Sequence, residues 1–282
     1  LQHLLPDAVP VPPVWDDGEV EDDPGTRRQR RSKDELRELV MTAGLRILDE
    51  EGLGIAIADL TFKRVFERVE ADTGVRLTNA SIIRRVWENQ SDFQSDLLSA
   101  IASASNSTGE MDSTVFALAP LLGGLDLSTP EARLAAMREI CRVAGRTAFD
   151  ALTESRGWAL WVGVWVLAAT GAPGTVDPRI RDALVRGYLA GTEEWVAMHQ
   201  GLLDIMGLRP RAPLTLRDFT VSTGALIEGC VLRQVGAEDL PVIVRPTGPG
   251  GAPQEWTLFA IGLEALARQF FEPDPDWVPP AT

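Results

Sequence analysis

Two groups of side chains in this sequence have types and spacings suited to binding chemistry. The first is the run Gly74-Val75-Arg76-Leu77-Thr78-Asn79-Ala80-Ser81-Ile82-Ile83-Arg84-Arg85-Val86-Trp87. Thr78, Asn79, Ala80 and Ser81 are short, so a helix opening on them brings its backbone close to a groove of base-pair edges. An Asn amide pairs with adenine, Arg with guanine, and small methyl groups suit the thymine methyl. Arg76, Arg84 and Arg85 are placed to neutralise phosphates, contacts that position a protein without specifying sequence. Upstream lies RRQRRSK, where Arg27, Arg28, Arg30, Arg31 and Lys33 put five charges into seven residues. A basic arm running straight into a helix is a common grip on phosphates or a minor groove. The plainer reading stays open: a solvated charge run, then a polar turn and a surface helix.

The second group is Trp158, Trp161, Trp165, Trp195, Met198 and His199. The first three tryptophans follow steps of three and four, one face of a helix. Such a stripe either fills a core or walls an apolar pocket with a few polar handles, such as His199, Gln200 or Glu194. Enzyme chemistry finds little support. His3 and His199 are the two histidines, and Cys141 and Cys230 the two cysteines. The sequence has no His/Cys/carboxylate set with metal-ligand spacing, no phosphate-binding GxxxxGK[ST] and no G-x-S-x-G elbow. Gly248-Pro249-Gly250-Gly251 lacks a strand–helix frame. The expectation is a protein that is not an enzyme and needs no cofactor or metal. The two cysteines read as small thiols in a reducing compartment, the cytoplasm.

These groups sit in a chain of ordinary globular composition. Of 282 residues, 45% are hydrophobic and 24% charged, which excludes disorder throughout. The net charge of −14 is unevenly spread. Residues 1–24 hold seven acids and no Lys or Arg, 25–105 balance 13 bases with 13 acids, and 106–282 set 14 bases against 21 acids. The middle segment alone is not repelled by a polyanion. Residues 1–26 read as a disordered acidic tail, one that folds back on the arm as a weak DNA mimic. The longest apolar run, from Trp158 to Gly171, spans 14 residues and falls short of a membrane crossing, which needs about 20.

The elements that must position both groups are helices. Ser32-Lys33-Asp34-Glu35 is a capping box, followed by Leu36, Leu39, Val40, Ala43 and Ile47 on one face until Gly52 and Gly54. A second helix is predicted over Thr61–Asp72, and a third from Thr78 or Asn79 through Val86. A fourth, capped by Asn89 or Ser91, carries Phe93, Leu97, Leu98 and Ile101. The polar stretch 104–114 reads as a loop and a domain boundary. Ser128-Thr129-Pro130-Glu131 caps the next helix, with Pro in its first turn. Further helices are predicted at about 130–155, 157–170, 178–206, 214–235 and 254–271, and a short extended piece at Val242–Val244.

A basic arm, a capped first helix, the Gly74–Trp87 run and a capped helix with Phe93 together resemble the tetracycline-repressor family of transcriptional regulators. Ser81-Ile82-Ile83 stands where Thr-Leu-Tyr is usual, Trp87 where Phe is usual and Phe93 where Leu is usual. The turn is about three residues longer than usual. Ile83 replaces the phosphate-contacting Tyr, and Gln90 the helix-start Lys. The detailed likeness covers residues 27–105.

The resemblance implies an all-α fold: an N-terminal helix-turn-helix DNA-binding domain over 27–105 and a larger helical effector-binding and dimerisation domain over 106–282. It implies a cytoplasmic homodimer that binds a palindromic operator through Arg27, Arg28, Arg30, Arg31, Arg76, Thr78, Asn79, Ser81, Arg84 and Arg85. A small apolar effector would enter among Trp158, Trp161, Trp165, Trp195, Met198 and His199, and repression is the expected sign. The last two helices carry small and apolar residues, and Phe219, Gly224, Leu226, Gly229, Leu258, Ile261, Gly262 and Ala265 are the expected dimer contacts. The alternative is a helical ligand- or partner-binding protein whose helix-turn-helix does not read DNA.

Overall fold

Helices, several of them capped by short polar side chains, build most of the described residues, and the fold is all-α. The computed structural model describes residues 31–104, 107–172, 174–236, 239–247 and 251–278. The acidic tail and most of the basic arm, Arg27, Arg28 and Arg30 included, lie outside them. The first helices are α1 (Lys33–Glu51), α2 (Gly54–Asp59), α3 (Phe62–Thr73), α4 (Asn79–Ile82) and α5 (Gln90–Ser103). Next come α6 (Ser107–Leu122), α7 (Pro130–Glu154), α8 (Arg156–Thr170) and α9 (Pro178–Met206). Strand β1 (Leu208–Pro210) precedes α10 (Leu216–Gly236), and β2 (Ile243–Pro246) with β3 (Pro253–Trp256) precedes α11 (Leu258–Phe270) and β4 (Phe271–Pro273). The strands form two antiparallel pairs, with Leu208 opposite Pro273 and Ile243 opposite Trp256.

Short polar side chains start the helices where the sequence places them. Thr61 Oγ1 accepts from Arg64 N at 3.3 Å, Asn89 Oδ1 from Asp92 N at 3.0 Å, and Thr129 Oγ1 from Ala132 N at 3.1 Å. Each satisfies a donor the helix cannot and is worth about 1 kcal/mol. Pro130 and Pro178 occupy first-turn positions, where a missing N–H costs nothing.

Residues 33–282 hold together as one compact unit with two buried clusters. The first joins Val40 and Leu48 of α1, Val65 of α3 and Phe93 and Leu97 of α5 to Val164 of α8 and Ile180 and Leu184 of α9. The second joins Ile140 of α7, Leu203 of α9, Phe219 of α10 and Phe259 of α11. Helix α9 therefore belongs to both. Its close approach to α5 depends on Gly187, where a Cβ would stand 2.5 Å from the Ala102 carbonyl oxygen.

Three local expectations are corrected. Residues 107–122 are helical where a loop was predicted over 104–114, because Thr114 and Leu118, one turn apart, are both buried; burial overrides the weak helix propensity of Ser, Thr and Gly. The Gly52–Leu60 link holds the short α2. The third helix ends at Ile82, four residues before Val86. Ile82 and Trp87 are both buried, yet in a continuing helix Trp87 would lie five residues on, about 140° round the axis. The chain instead turns at Arg84, whose φ is 65°. Its N–H donates to the Trp87 carbonyl at 2.7 Å. Among the described residues no helix is long and apolar enough to cross a membrane.

Candidate functional site

The segment read as a DNA contact is held from below by aromatic packing. Gly74, at φ 68°, ends α3 in the left-handed cap that glycine adopts without strain, its N–H donating to Glu70 O at 2.9 Å. The chain then presents Thr78, Asn79 and Ala80 exposed, while Ile82 anchors the single turn of α4 in the core. The Trp87 ring lies edge-on to Phe93 at 5.1 Å, and its indole N–H donates to Asp96 Oδ2 at 2.9 Å. Asp96 also accepts two bonds from Arg37, at 3.0 and 2.9 Å. Ser81 is described through its backbone alone.

The cations of this region differ in their surroundings. Arg76 bonds Glu70 through Nε and Nη2 at 2.9 and 2.8 Å, so its charge is turned back onto α3. Arg68 is forked between Glu50 and Asp72, and Arg64 meets Glu51. Arg84 is exposed and pairs with no carboxylate among the described residues. Arg85 is half-buried, and Arg31 is the one Arg of the arm that is described, exposed at the entrance to α1.

The second group of residues surrounds a cavity of about 220 Å³ walled mainly by α7, α8, α9, α10 and α11. Trp158, Trp161, Trp195, Met198 and His199 all line it. Trp165 does not: it is 52% exposed on the outer surface. It shares a helix face with Trp158, but stands seven residues on, about 10 Å farther along α8 and past the end of the cavity. The predicted site also omitted the contribution of α10, which lines the cavity with Phe219, Thr220, Thr223 and Glu228. An i, i+3/i+4 pattern of Phe and Thr was present there, but it fits a core equally well.

Polar atoms in the cavity have defined states. Thr220 Oγ1 donates to Leu216 O at 3.1 Å, and Thr223 Oγ1 to Thr220 O at 2.9 Å. Thr192 Oγ1 likewise donates to Tyr188 O at 2.8 Å. His199 Nδ1 is 3.0 Å from Thr220 Oγ1. With the hydroxyl proton engaged by Leu216, we assign the imidazole proton to Nδ1, donating to Thr220, and leave Nε2 an acceptor. The ring faces the cavity yet is enclosed by protein between Trp195 and Phe219, at centroid distances of 5.8 and 5.1 Å. Burial lowers its pKa to about 4, so it is neutral at pH 7. Burial, with the charge of Glu264 adding, pushes the Cys141 thiol up to about 12 and makes it unreactive. Glu228 is raised by burial alone.

The expected dimer contacts separate into two sets. Phe219 is buried inside its own chain, edge-on to Phe271 at 4.6 Å, and this corrects its assignment to an intersubunit surface. Leu226 packs on Gly262, where a Cβ would meet Leu226 Cδ2 at 2.7 Å, so this pair joins α10 to α11 within the chain. Gly224 lines the cavity, and Leu258 and Ile261 are half-buried. Gly229 and Ala265 face outward, beside exposed Leu232 and Val235 on α10. Compared with known proteins, the chain matches no family model and no curated protein.

Proposed function

We propose that this protein is a ligand-responsive, DNA-binding transcriptional regulator of the tetracycline-repressor type. It acts as a homodimer on a palindromic operator, most simply as a repressor, and leaves DNA when a small, largely apolar effector fills the cavity. The observation that carries the reading is α9. Its first turns, with Ile180 and Leu184, pack in the core beneath the DNA-reading segment, and its later turns, with Thr192, Trp195 and His199, wall the cavity. A ligand that displaces one end of this 29-residue helix acts on the other, because packed helices move as units rather than bend freely. To release DNA, the effector must favour the DNA-incompetent arrangement by about 1–3 kcal/mol. Exposed Thr78, Asn79 and Arg84 support the DNA half of the reading, as does the resemblance over residues 27–105.

The test is fluorescence anisotropy on oligonucleotides selected from a random pool, across salt concentrations, with Arg84→Gly beside the wild type. Glycine keeps the left-handed turn and removes the charge. A selected palindrome whose steep salt slope flattens by about one unit in the variant is the expected result. Weak, equal binding of every sequence by both proteins would sink the DNA reading. That outcome favours a second reading, a helical ligand-binding protein without DNA readout, which is supported by the one-turn α4 and by the tethering of Arg76 to Glu70.

A further inference from the structure

The side chains around the cavity carry an unbalanced charge. Among the described lining residues are tryptophans, aliphatic groups and threonines, but no Lys, Arg or Asp; Glu228 is the one that bears a formal charge. No hydrogen bond or ion pair engages its carboxylate among the described residues, although burial already disfavours its ionised form. An unpaired carboxylate beside an apolar cavity is costly for the empty protein, and a cation from outside is the partner that removes the cost. His199 adds no positive charge, being neutral, and offers Nε2 as an acceptor. Trp161 and Trp195 supply aromatic faces, which attract cations and repel anions. Thr220, which holds the imidazole, and Glu228 are eight residues apart on one face of α10, a separation of about 12 Å. The imidazole acceptor and the carboxylate thus stand about two turns of α10 apart on a mostly apolar lining, and only the second carries a negative charge.

We propose that the cavity takes an elongated lipophilic ammonium: an apolar, ring-bearing body whose protonated amine sits on Glu228 and whose far end donates a hydrogen bond to His199 Nε2. The inference rests on the reading of the cavity as a ligand site, and it excludes organic anions such as fatty acids and aryl carboxylates.

Isothermal titration calorimetry of the full chain at pH 7.5 tests it with one skeleton and three heads: 4-phenylbutylamine, 4-phenylbutanol and 4-phenylbutyrate. The amine is expected to bind about tenfold more tightly than the alcohol, and the carboxylate most weakly. Within Glu228→Gln the amine should bind no more tightly than the alcohol. The longer 4-(4-aminobutyl)phenol should gain several-fold over the plain amine, and in His199→Phe the phenol should bind no better than the plain amine does to the same variant. A carboxylate that binds as tightly as the amine, or an amine preference that survives Glu228→Gln, overturns the charge assignment and leaves the ligand site standing. A phenol with no advantage overturns the role of His199. No heat from any of the four at millimolar concentration overturns this inference and the ligand-site reading together.

Discussion

His199 illustrates how one side chain can be legible in type and illegible in state. The sequence offers a single histidine in the helical half, and nothing in its neighbours says whether it is charged. The structure encloses the ring between Trp195 and Phe219 and lowers its pKa to about 4, from about 6.5 in the unfolded chain. Between those values the unfolded chain binds the extra proton, so the folded state loses stability as pH falls from 6.5 towards 4. The contribution is fully present above pH 6.5 and amounts to at most about 3 kcal/mol. Urea unfolding at pH 7.5 and pH 5 measures it. Wild type should lose more stability between the two than His199→Gln, which keeps a hydrogen-bonding group but cannot titrate there. Equal losses would mean that the ring is solvated in the folded protein. Trp87 makes a second case: its indole N–H on Asp96 and its contact with Phe93 fix the end of the reading segment. Trp87→Phe should cost about 1–2 kcal/mol in the same assay, because Asp96 keeps Arg37 but loses a charge-assisted bond.

Among the elements, those that announce their own ends are the ones the sequence makes legible. Thr129-Pro130, Asp177-Pro178 and Gly207 mark the limits of α7 and α9, and the predicted spans of 130–155 and 178–206 match the observed helices closely. Helix α6 starts inside a Ser/Thr/Gly-rich run whose Ser107-Thr108-Gly109-Glu110 has the capping-box spacing but whose composition reads as a loop, and Thr114 and Leu118 packing inside the protein decide for the helix. The early end of α4 was hidden for a related reason, since the demand to bury both Ile82 and Trp87 exists only once α3 and α5 are assembled beneath them. Five of the six predicted pocket residues do meet at one cavity, because heptad-like spacing reports a shared face. It reports nothing about where along the helix that face stops facing the cavity, hence Trp165. The α5–α9 contact is the element-scale feature that the proposed coupling needs. Gly187→Ala would drive a methyl to 2.5 Å from the Ala102 carbonyl oxygen, so the helices must separate. The expected cost is about 1–3 kcal/mol of stability. The stabilisation of the protein by a bound cavity ligand should persist, while the linkage between that ligand and DNA affinity weakens. A variant with undiminished linkage would show that α9 does not carry the coupling.

At the scale of the whole molecule, a reader of palindromic DNA needs two copies related by a twofold axis, and the chain must therefore leave a self-complementary face uncovered. The outer side of α10 fits that need: Leu232 is 51% and Val235 62% exposed, and a Cβ on Gly229 would have no neighbour within 4 Å. Ala265 on α11 is exposed as well, whereas Phe219 and the Leu226–Gly262 pair are already used inside the chain. Exposed aliphatic residues on one helix side lower the free energy when buried, by about 25 cal/mol per Å² of apolar surface. In an isologous interface, residues near the axis meet their own copies, so a cation introduced there faces a cation. Gly229→Arg/Leu232→Arg is therefore expected to convert a dimer into monomers of 30.7 kDa without loss of fold, because neither position contributes to the core. Sedimentation velocity at micromolar protein gives the masses, and calorimetry with the phenylbutyl probes reports whether the cavity survives in the monomer. The monomer should keep its ligand affinity and lose operator affinity by about 10³-fold or more, since each half-site is then held singly. A wild-type chain that sediments as a monomer at these concentrations would remove the basis for palindromic recognition, and the cavity would then belong to a ligand-binding protein without DNA readout.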